Sequence, residues 1–275
     1  NADHTIFWND ESTKAYYFIG KDNIPFHTII WPAMIMAYGG LNLPFDVPAN
    51  EFLSLENRKI STSQNWAVWL PDYLDKFDPD PLRYALSINM PETGDTDFSW
   101  SEFVRRNNDE LVATYGNLVN RVLSFTYRNF DKAIPEKGTL TSEDLEILEQ
   151  AKHVMSDVDN DLYNCKFKSG ITRIFGLAQQ CNRYLDYAAP WKVIKEDKDR
   201  AATVLWTCIA TINCLKTMLF PFLPFSSNQI NEMLELDSTN YSWDYEDVLN
   251  EIVSGNPLNQ PLPLFKKIEI EDMNV

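Results

Sequence analysis

Apolar residues in the first hundred positions occur in short runs separated by prolines and glycines. The run AYYFIG at residues 15–20 is aromatic and ends in a glycine, which predicts a buried strand. The apolar segment 25–40 ends in Gly-Gly and predicts a helix, and EFLSL at 51–55 predicts a second short strand. A strand, a turn and a helix in this order form one crossover of an α/β fold. The proline-broken segment 69–89 predicts short helices.

From Ser99 onward, apolar residues recur at helical spacing. Ser99 followed by Glu102, and Thr141 followed by Asp144, are capping pairs that predict two helix starts. The apolar positions of these two helical segments are Phe103, Leu111, Tyr115, Leu118, Val122, Phe125, Leu145, Leu148, Ala151, Met155 and Val158.

Two further amphipathic runs cover residues 165–188 and 199–219, and each is followed by a proline. The sequence therefore predicts two domains, an α/β region over residues 1–98 and an all-α bundle over residues 99–275.

The composition narrows the class of protein. The net charge of −16 argues against nucleic-acid binding over the whole surface, but it is compatible with a local basic face. No apolar stretch approaches the ~20 residues of a membrane span, and the first residues do not resemble a signal peptide, so we expect a cytoplasmic protein without a membrane partner. The cysteines form no C-x-x-C pair, which predicts buried thiols and neither a zinc site nor disulfides.

The polar stretch NRKISTSQNW at residues 57–66 permits two interpretations. It is either a solvated loop or a phosphate cradle, in which a lysine and several hydroxyl groups hold a polyphosphate. The segment GKDN at residues 20–23 follows the first predicted strand, at the carboxyl end where open α/β sheets bind ligands.

Six segments occur in an order that resembles a known family: FIGKDNIPFHTIIWPAM, NRKISTSQNW, DPDPLRYAL, DFSW, GNLVNR and APWKVIK. The chain resembles the second half of a class I methionyl-tRNA synthetase of the archaeal and eukaryotic type, from Tyr16 to the segment 263–268. The resemblance implies the second half of a Rossmann-type nucleotide-binding domain with a stem-contact segment, and then an α-helical anticodon-binding bundle. It also implies an ATP-dependent ligase that joins methionine to tRNA-Met through methionyl adenylate, with Mg²⁺ assisting at the phosphates.

By this resemblance, the polar loop is the family's KMSKS signature, which stabilises the ATP phosphates. Lys59, Ser61, Thr62 and Ser63 are the implied catalytic residues. Thr62 replaces a lysine of the pattern and Gln64 replaces a common arginine, so two expected positive charges are missing.

The resemblance places Gly20, Lys21 and Asp22 beside ATP, together with Lys59 and Thr62.

The implied methionine-binding residues are His27, Trp31 and Asn23. His27 and Trp31 lie four residues apart, so they share one helix face. Without the resemblance, they are equally compatible with a histidine beside a tryptophan in a core.

The implied anticodon-binding residues are Asn117, Arg121 and Trp191. Asn117 and Arg121 are also four apart, and an amide with a guanidinium can read a base edge. Trp191 follows Pro190 at a predicted helix end, where an indole suits stacking on an unpaired base. In the family, these positions take the cytosine of the CAU anticodon. The alternative interpretation is a solvated Asn/Arg pair and a buried tryptophan.

The family's HIGH signature, its zinc-bearing insertion and the first half of its methionine pocket all precede the region that this chain resembles. We therefore expect no metal ligands and no zinc in this chain, an inactive fragment when isolated, and a monomer. One alternative is a non-catalytic tRNA anticodon-binding module derived from such a synthetase. Another class I specificity is a weaker alternative, because those bundles lack this set of Asn, Arg and Trp.

Overall fold

The chain folds into two compact units in the computed structural model. The structure describes residues 3–237 and 242–273. Unit 1 comprises Asn1–Ala67 and Asn89–Phe98, and unit 2 comprises Val68–Ile88 and Ser99–Val275. The segment Val68–Ile88, which the sequence boundary at residue 98 assigned to the first domain, packs within unit 2. The predicted order of an α/β region followed by an all-α region is confirmed.

Unit 1 contains two small sheets. Strand β1 (Ile19–Gly20) pairs in parallel with β2 (Ala49–Asn50). Strand β3 (Leu53–Leu55) is central in the second sheet, antiparallel to β4 (Arg58–Lys59) and parallel to β5 (Thr96–Phe98).

The strand predicted over residues 15–20 is shorter in the structure. Before β1 it makes one isolated bridge, from Tyr16 to Asp46. The facing segment contains Pro48, which has no N–H group and can only accept, as it does from the Ile19 N–H. The ladder is therefore limited to its last two residues.

The predicted apolar helix of unit 1 forms in two parts, after the short helix α1 (His4–Trp8). A π-helical turn (Phe26–Ile30) leads into α2 (Trp31–Tyr38). Pro32 lies in the first turn of α2, where a missing backbone N–H is tolerated. Gly39, with φ of +83°, ends the helix.

Unit 2 is helical. Its first helices are α3 (Leu70–Leu74), α4 (Pro79–Ile88), α5 (Trp100–Arg106), a π-helix (Asn107–Gly116) and α6 (Asn117–Asn129). Next come α7 (Ser142–Tyr163), α8 (Phe167–Ala188), α9 (Pro190–Val193) and α10 (Lys198–Leu219). The last are α11 (Pro224–Leu234), α12 (Tyr245–Asn250) and a 3₁₀ turn (Ile270–Met273). Both predicted caps are confirmed, because the Ser99 side chain accepts from the Glu102 N–H and Thr141 forms a capping box with Asp144.

The core of unit 2 surrounds α10, which is buried over nearly its whole length. The expectation that no apolar stretch approaches the length of a membrane span is wrong for this helix, which is long and apolar enough by length and composition. Its apolar window lies entirely inside the unit, as in a buried core helix. Helices α7 and α8 pack against it and against each other.

The prediction of the apolar face of α7 is wrong for one residue. Leu145 is 54% exposed, whereas Leu148 and Ala151 are buried as expected. The buried side of the first turn is occupied by Asp144, which accepts hydrogen bonds from Arg200 and Tyr184. Since Leu145 is rotated about 100° from Asp144 around the helix, it faces outward.

All four cysteines are free thiols. Cys181, Cys208 and Cys214 are buried as expected, but Cys165, which follows the end of α7, is only half-buried. Burial raises the pKa of Cys214 to about 12, so this thiol stays protonated and behaves as an apolar side chain.

Candidate functional site

The polar stretch 57–66 forms a tight hairpin. The turn from β3 to β4 has positive φ at Glu56 and Asn57, as expected of a two-residue hairpin loop. Beyond β4, Ser61 and Trp66 exchange two backbone hydrogen bonds of 2.8 Å, which close the loop. The hydroxyl oxygens of Ser61 and Ser63 are 3.2 Å apart. Two hydroxyl groups are thus held side by side at the tip.

The two basic residues of this hairpin differ in their surroundings. The Arg58 guanidinium stacks over the Trp66 ring at 4.8 Å and donates to the Gln64 side-chain oxygen at 2.5 Å. Lys59 is exposed, and within residues 3–237 and 242–273 its ammonium has no hydrogen-bond or ion-pair partner. Lys59 is therefore available to an anion, and Gln64 fixes the neighbouring arginine.

The segment after β1 contains a lysine whose charge is neutralised by two acidic side chains. Lys21 forms an ion pair with Glu51 and another of 2.8 Å with Asp95, and its ammonium lies 4.3 Å from the Phe52 ring centroid. The hydrogen bonds to Asp95 and Glu51 raise the pKa of Lys21. Asp22, in contrast, is exposed. The ammonium of Lys21 is already neutralised, so it meets an incoming phosphate less readily than Lys59 does.

An aromatic cluster surrounds the two predicted methionine-binding side chains. His27 Nδ1 lies 3.1 Å from the backbone oxygen of Asn23. Trp31 donates its indole N–H to the Tyr17 hydroxyl at 3.1 Å, and the Tyr17 ring lies 5.8 Å from that of His27. Trp8 packs edge-on against Trp31 at 6.2 Å. The structure thus brings His27, Trp31 and Asn23 together.

Sequence reasoning missed Tyr17, which connects His27 to Trp31. Its place in an aromatic strand predicted a core residue and nothing more. The alternation of side chains along a strand gave a weak signal, because Tyr16 faces Phe45 at 5.3 Å whereas Tyr17 points to the opposite side.

In unit 2, two of the three predicted anticodon-binding residues are in contact. The Arg121 guanidinium lies 5.0 Å from the centroid of the Trp191 ring, in a cation–π arrangement. Arg121 also donates to Asp186 at 2.5 Å. Trp191 is half-buried against the core, and it follows Ala189, whose left-handed backbone (φ +41°) turns the chain from α8 into α9. Asn117 is exposed, one helical turn before Arg121.

Asp186 is the second residue that sequence reasoning missed. It is 65 residues from Arg121 in the sequence, so no local spacing identifies the pair. The carboxylate fixes one side of the guanidinium while the indole covers a face. The arrangement presents a flat ring and a positioned donor group at the end of α8.

Among the described residues, no group of three His, Cys, Asp or Glu side chains could hold a metal. Mg²⁺ in nucleotide sites is bound largely by phosphates and water, with one or two carboxylates.

Two family descriptions match the chain. Residues 1–123 match the class I tRNA synthetases of type M, and residues 134–275 match the anticodon-binding domain of methionyl tRNA ligase. The chain belongs to the methionyl-tRNA synthetase family.

Members of this family are similar over nearly the whole chain. Methionine–tRNA ligase from Dehalococcoides mccartyi strain CBDB1 is 52% identical over 265 residues, which cover 96% of this chain and 47% of that protein. The enzyme of the same name from Pyrococcus abyssi is 44% identical over 268 residues, or 94% of this chain and 36% of that protein. The chain thus spans half or less of the length of these methionyl-tRNA synthetases.

Solved methionyl-tRNA synthetases share the fold. The Mycobacterium tuberculosis enzyme bound by methionyl-adenylate superposes with a TM-score of 0.85 at 24% identity, over 93% of this chain and 50% of that one. Its apo form gives a TM-score of 0.83, also at 24% identity, over 94% of this chain and 50% of that one. These likenesses establish the fold of this part of a methionyl-tRNA synthetase.

Proposed function

We propose that the protein that carries this chain is a methionine–tRNA ligase, which forms methionyl adenylate from methionine and ATP and transfers the methionyl group to tRNA-Met. The observation that carries this proposal is the contact of Arg121 with Trp191 at the end of α8, inside a region that matches the methionyl anticodon-binding domain. The ATP-side residues on the hairpin of unit 1 add support.

In this proposal, unit 1 supplies the phosphate side of the activation step. An oxygen of the methionine carboxylate attacks the α-phosphorus of ATP, the bond to the bridging oxygen breaks, and pyrophosphate leaves. Negative charge shifts toward the leaving group. The Lys59 ammonium and the hydroxyls of Ser61, Thr62 and Ser63 stabilise that charge from the hairpin tip.

The methionine side chain fits the aromatic cluster by its chemistry. A thioether makes favourable contacts with aromatic rings, and Trp31 and His27 are held in place by Tyr17 and by the Asn23 backbone. Because rings that are already positioned lose little entropy on binding, this arrangement favours affinity for a small apolar side chain.

Unit 1 has an exposed apolar face, which is evidence that it packs against the rest of a larger catalytic domain. Met34, Met36 and Tyr38 of α2 are 58–80% exposed, as is much of the surrounding apolar surface. Extended apolar patches of this kind mark surfaces that pack against other protein. Since the relatives are at least twice as long as the region they share with this chain, we infer that the other half of the catalytic domain covers this face.

In unit 2, the proposal assigns the first anticodon base to Trp191 and its neighbours. The cytosine stacks on the exposed part of the indole. Arg121 and Asn117 meet its polar edge, with Asp186 fixing the guanidinium.

The test is binding of this chain to RNA stem-loops. A loop with the CAU anticodon is expected to bind about tenfold more tightly than one in which uracil replaces the cytosine. Trp191→Ala is expected to remove most of this preference, because a lost stack is worth about 1–3 kcal/mol. If Trp191→Ala lowers the melting temperature but leaves the preference intact, the tryptophan is a core residue and the assignment fails.

A second candidate function is a tRNA-binding module without activation chemistry. It is favoured by unit 2, which carries its own extensive core. Methionine-dependent exchange of pyrophosphate into ATP separates the two. Exchange by a protein that joins this chain to the other half of a catalytic domain supports the ligase. Its absence, with anticodon binding retained, supports the module. The isolated chain is expected to show no exchange in either case.

A further inference from the structure

Helix α6 begins as a direct continuation of a π-helix. Residues Asn107–Gly116 are π-helical, and α6 follows at Asn117 without a break. The Asn117 N–H donates to the carbonyl of Val112, five residues earlier, and the Thr114 hydroxyl donates to the Asp109 carbonyl, also five residues earlier. Because π-helices are rare and most are single turns, a segment of this length needs support from its surroundings.

The buried positions of this segment are spaced for a wide turn. Asn107, Leu111, Tyr115 and Val119 are four residues apart, and each is at most 1% exposed. In an α-helix, residues four apart differ by about 40° around the axis, so this series would turn away from the core by about 120°. A π-helical turn holds more residues than an α-helical turn, which keeps the series facing the core. The widened turn therefore sets the direction in which α6 faces.

Helix α8 contacts this segment and α6 at two levels. Asn182 donates its side-chain amide to the Thr114 carbonyl at 3.0 Å, in addition to the Ala178 carbonyl of its own helix at 3.1 Å. Asp186, one turn further along α8, accepts from Arg121 at 2.5 Å. Asn182 and Asp186 lie on the same face of α8 because they are four residues apart. Two contacts at different heights fix the rotation of α6 about its axis, which a single contact would not do.

A brace segment, residues 265–268, contacts both ends of the π-helix. Near the start of the π-helix, Asn108 donates to the Ile268 carbonyl at 2.8 Å and accepts from the Ile268 N–H at 3.0 Å, as a neighbouring strand would. Near its end, the buried Phe265 ring lies 6.3 Å from the Tyr115 ring. Since the brace segment contacts both ends, a change in the length of the π-helix would break at least one of these contacts.

We infer that Asn182 and Asn108 are positioning residues for the contact of Arg121 with Trp191. They keep residues 107–116 in the π-helical form, and this form sets the direction of the Arg121 side chain. If the segment became α-helical, everything after it would rotate by about 100° for each residue by which a turn shortens. Arg121 would then leave the indole ring. The consequence for RNA binding rests on the proposed function, whereas the positioning itself is a property of the free chain.

The first experiment follows the Trp191 indole N–H resonance of the free chain by NMR. Trp191→Phe assigns the resonance, and Arg121→Ala gives its position when the guanidinium is lost. Asn182→Ala and Asn108→Ala are each expected to move the resonance about half of the way or more toward the Arg121→Ala position, because the cation no longer lies over the ring. The indole resonance of Trp206, which is buried in the core of unit 2, is expected to stay unchanged.

Asn129→Ala is the matched control, because Asn129 lies on α6 and donates to the carbonyl four residues earlier, as Asn182 does on α8. It is expected to leave the Trp191 resonance in place. Asn182 and Asn108 are half-buried, so their Ala variants are expected to fold, and melting curves check this. Hydrogen exchange of peptides from residues 107–117 is expected to be about tenfold faster in both variants, because each loses a hydrogen bond that holds the π-helix.

Stem-loop binding separates this inference from the proposed function. Asn182→Ala and Asn108→Ala are each expected to reduce the preference for a CAU stem-loop over a UAU stem-loop about threefold, whereas Asn129→Ala keeps it. If the folded Asn182 and Asn108 variants leave the Trp191 resonance unchanged, the positioning role is contradicted. If they move the resonance but the unmodified chain does not distinguish CAU from UAU, the positioning role is confirmed and the proposed function is contradicted.

Discussion

The two units differ in how far their apolar residues are buried. In unit 1, the apolar residues that are buried among those described are Ile35, Leu55 and Phe98, and most of α2 faces outward. In unit 2, α10 is enclosed on all sides. The helical unit therefore has a core of its own, whereas the α/β unit has a surface suited to packing against further protein.

The two units also differ in how deeply they bury their charged groups. Unit 2 buries the carboxylate of Asp144 completely, where Arg200 and Tyr184 satisfy it. In unit 1, the ion pairs of Lys21 with Glu51 and Asp95 are partly exposed to solvent. A buried network fixes the packing of several helices, while a solvated one contributes little.

The largest expected effect concerns local stability. Hydrogen exchange of this chain is expected to show backbone amides of α10 protected about a thousandfold or more beyond those of α2, because few apolar contacts hold α2. Mass spectrometry of exchanged peptides measures both helices in one sample. Similar protection of the two helices would contradict the inference that unit 2 has the more stable core.

A buried charge in unit 2 gives the next largest effect. Asp144→Asn is expected to lower the free energy of unfolding by about 3 kcal/mol, since it disrupts the hydrogen bonds to Arg200 and Tyr184. The matched control is Asp157→Asn, because Asp157 is an exposed partner of Arg173, with an expected cost below about 1 kcal/mol. Urea unfolding measures both variants, and equal losses would contradict the importance of burial.

The pH dependence of stability follows from the same carboxylate. Burial alone would raise the pKa of Asp144, but hydrogen bonds from Arg200, Tyr184 and the Thr141 backbone outweigh it and lower the pKa below the ordinary 3.8. A lowered pKa in the folded state contributes stability above about pH 4, and this contribution is lost as the pH falls through the folded value. Asp144→Asn is expected to reduce the acid sensitivity of unit 2.

The sequence was informative wherever a structure depends on local spacing. The helix starts at Ser99 and Thr141 were predicted because a cap involves residues only three apart. The helical periodicity gave the apolar face of α7 except at Leu145. That error came from Asp144, whose partner Arg200 is 56 residues away, so the pattern could not show that a carboxylate would turn inward.

The candidate site also combines residues that can be found from the sequence with contacts that depend on the fold. The family resemblance singled out Arg121 and Trp191, whose anticodon-binding role stays a prediction. It could not find Asp186, since the contact depends on how α6 and α8 pack. Likewise, Lys21 and Lys59 looked equivalent in sequence. The neighbouring sheet provides acidic partners for Lys21, and Lys59 has none among the described residues. Charge compensation of this kind is a property of the fold.

The exposed hairpin of unit 1 is expected to matter for rate and not for stability. In an enzyme that joins this chain to the other half of a catalytic domain, Lys59→Ala is expected to lower methionine-dependent pyrophosphate exchange about 100-fold with little change in methionine affinity. Lys14→Ala removes another lysine of unit 1 and serves as the control. An unchanged exchange rate would make the hairpin an ordinary solvated loop.

Thr62→Lys restores the charge that the family pattern carries three residues after Lys59, and it tests the same charge argument. Exchange is expected to rise or to stay the same, because another ammonium faces the phosphates. A large fall in rate would show that the hairpin is built for a hydroxyl at this position.

The smallest expected effect concerns Tyr17. Tyr17→Phe removes the acceptor of the Trp31 indole N–H but keeps the ring beside His27. Loss of one neutral hydrogen bond is worth about 1 kcal/mol, so the KM for methionine is expected to rise about fivefold while kcat changes little. Tyr38→Phe is the control, since Tyr38 is 80% exposed. If Tyr17→Phe leaves KM unchanged, Trp31 is positioned by its packing against Trp8 and the hydrogen bond is incidental. If kcat falls instead, the aromatic cluster acts on the activation step itself, and unit 1 would use its methionine side as well as its phosphate side for rate.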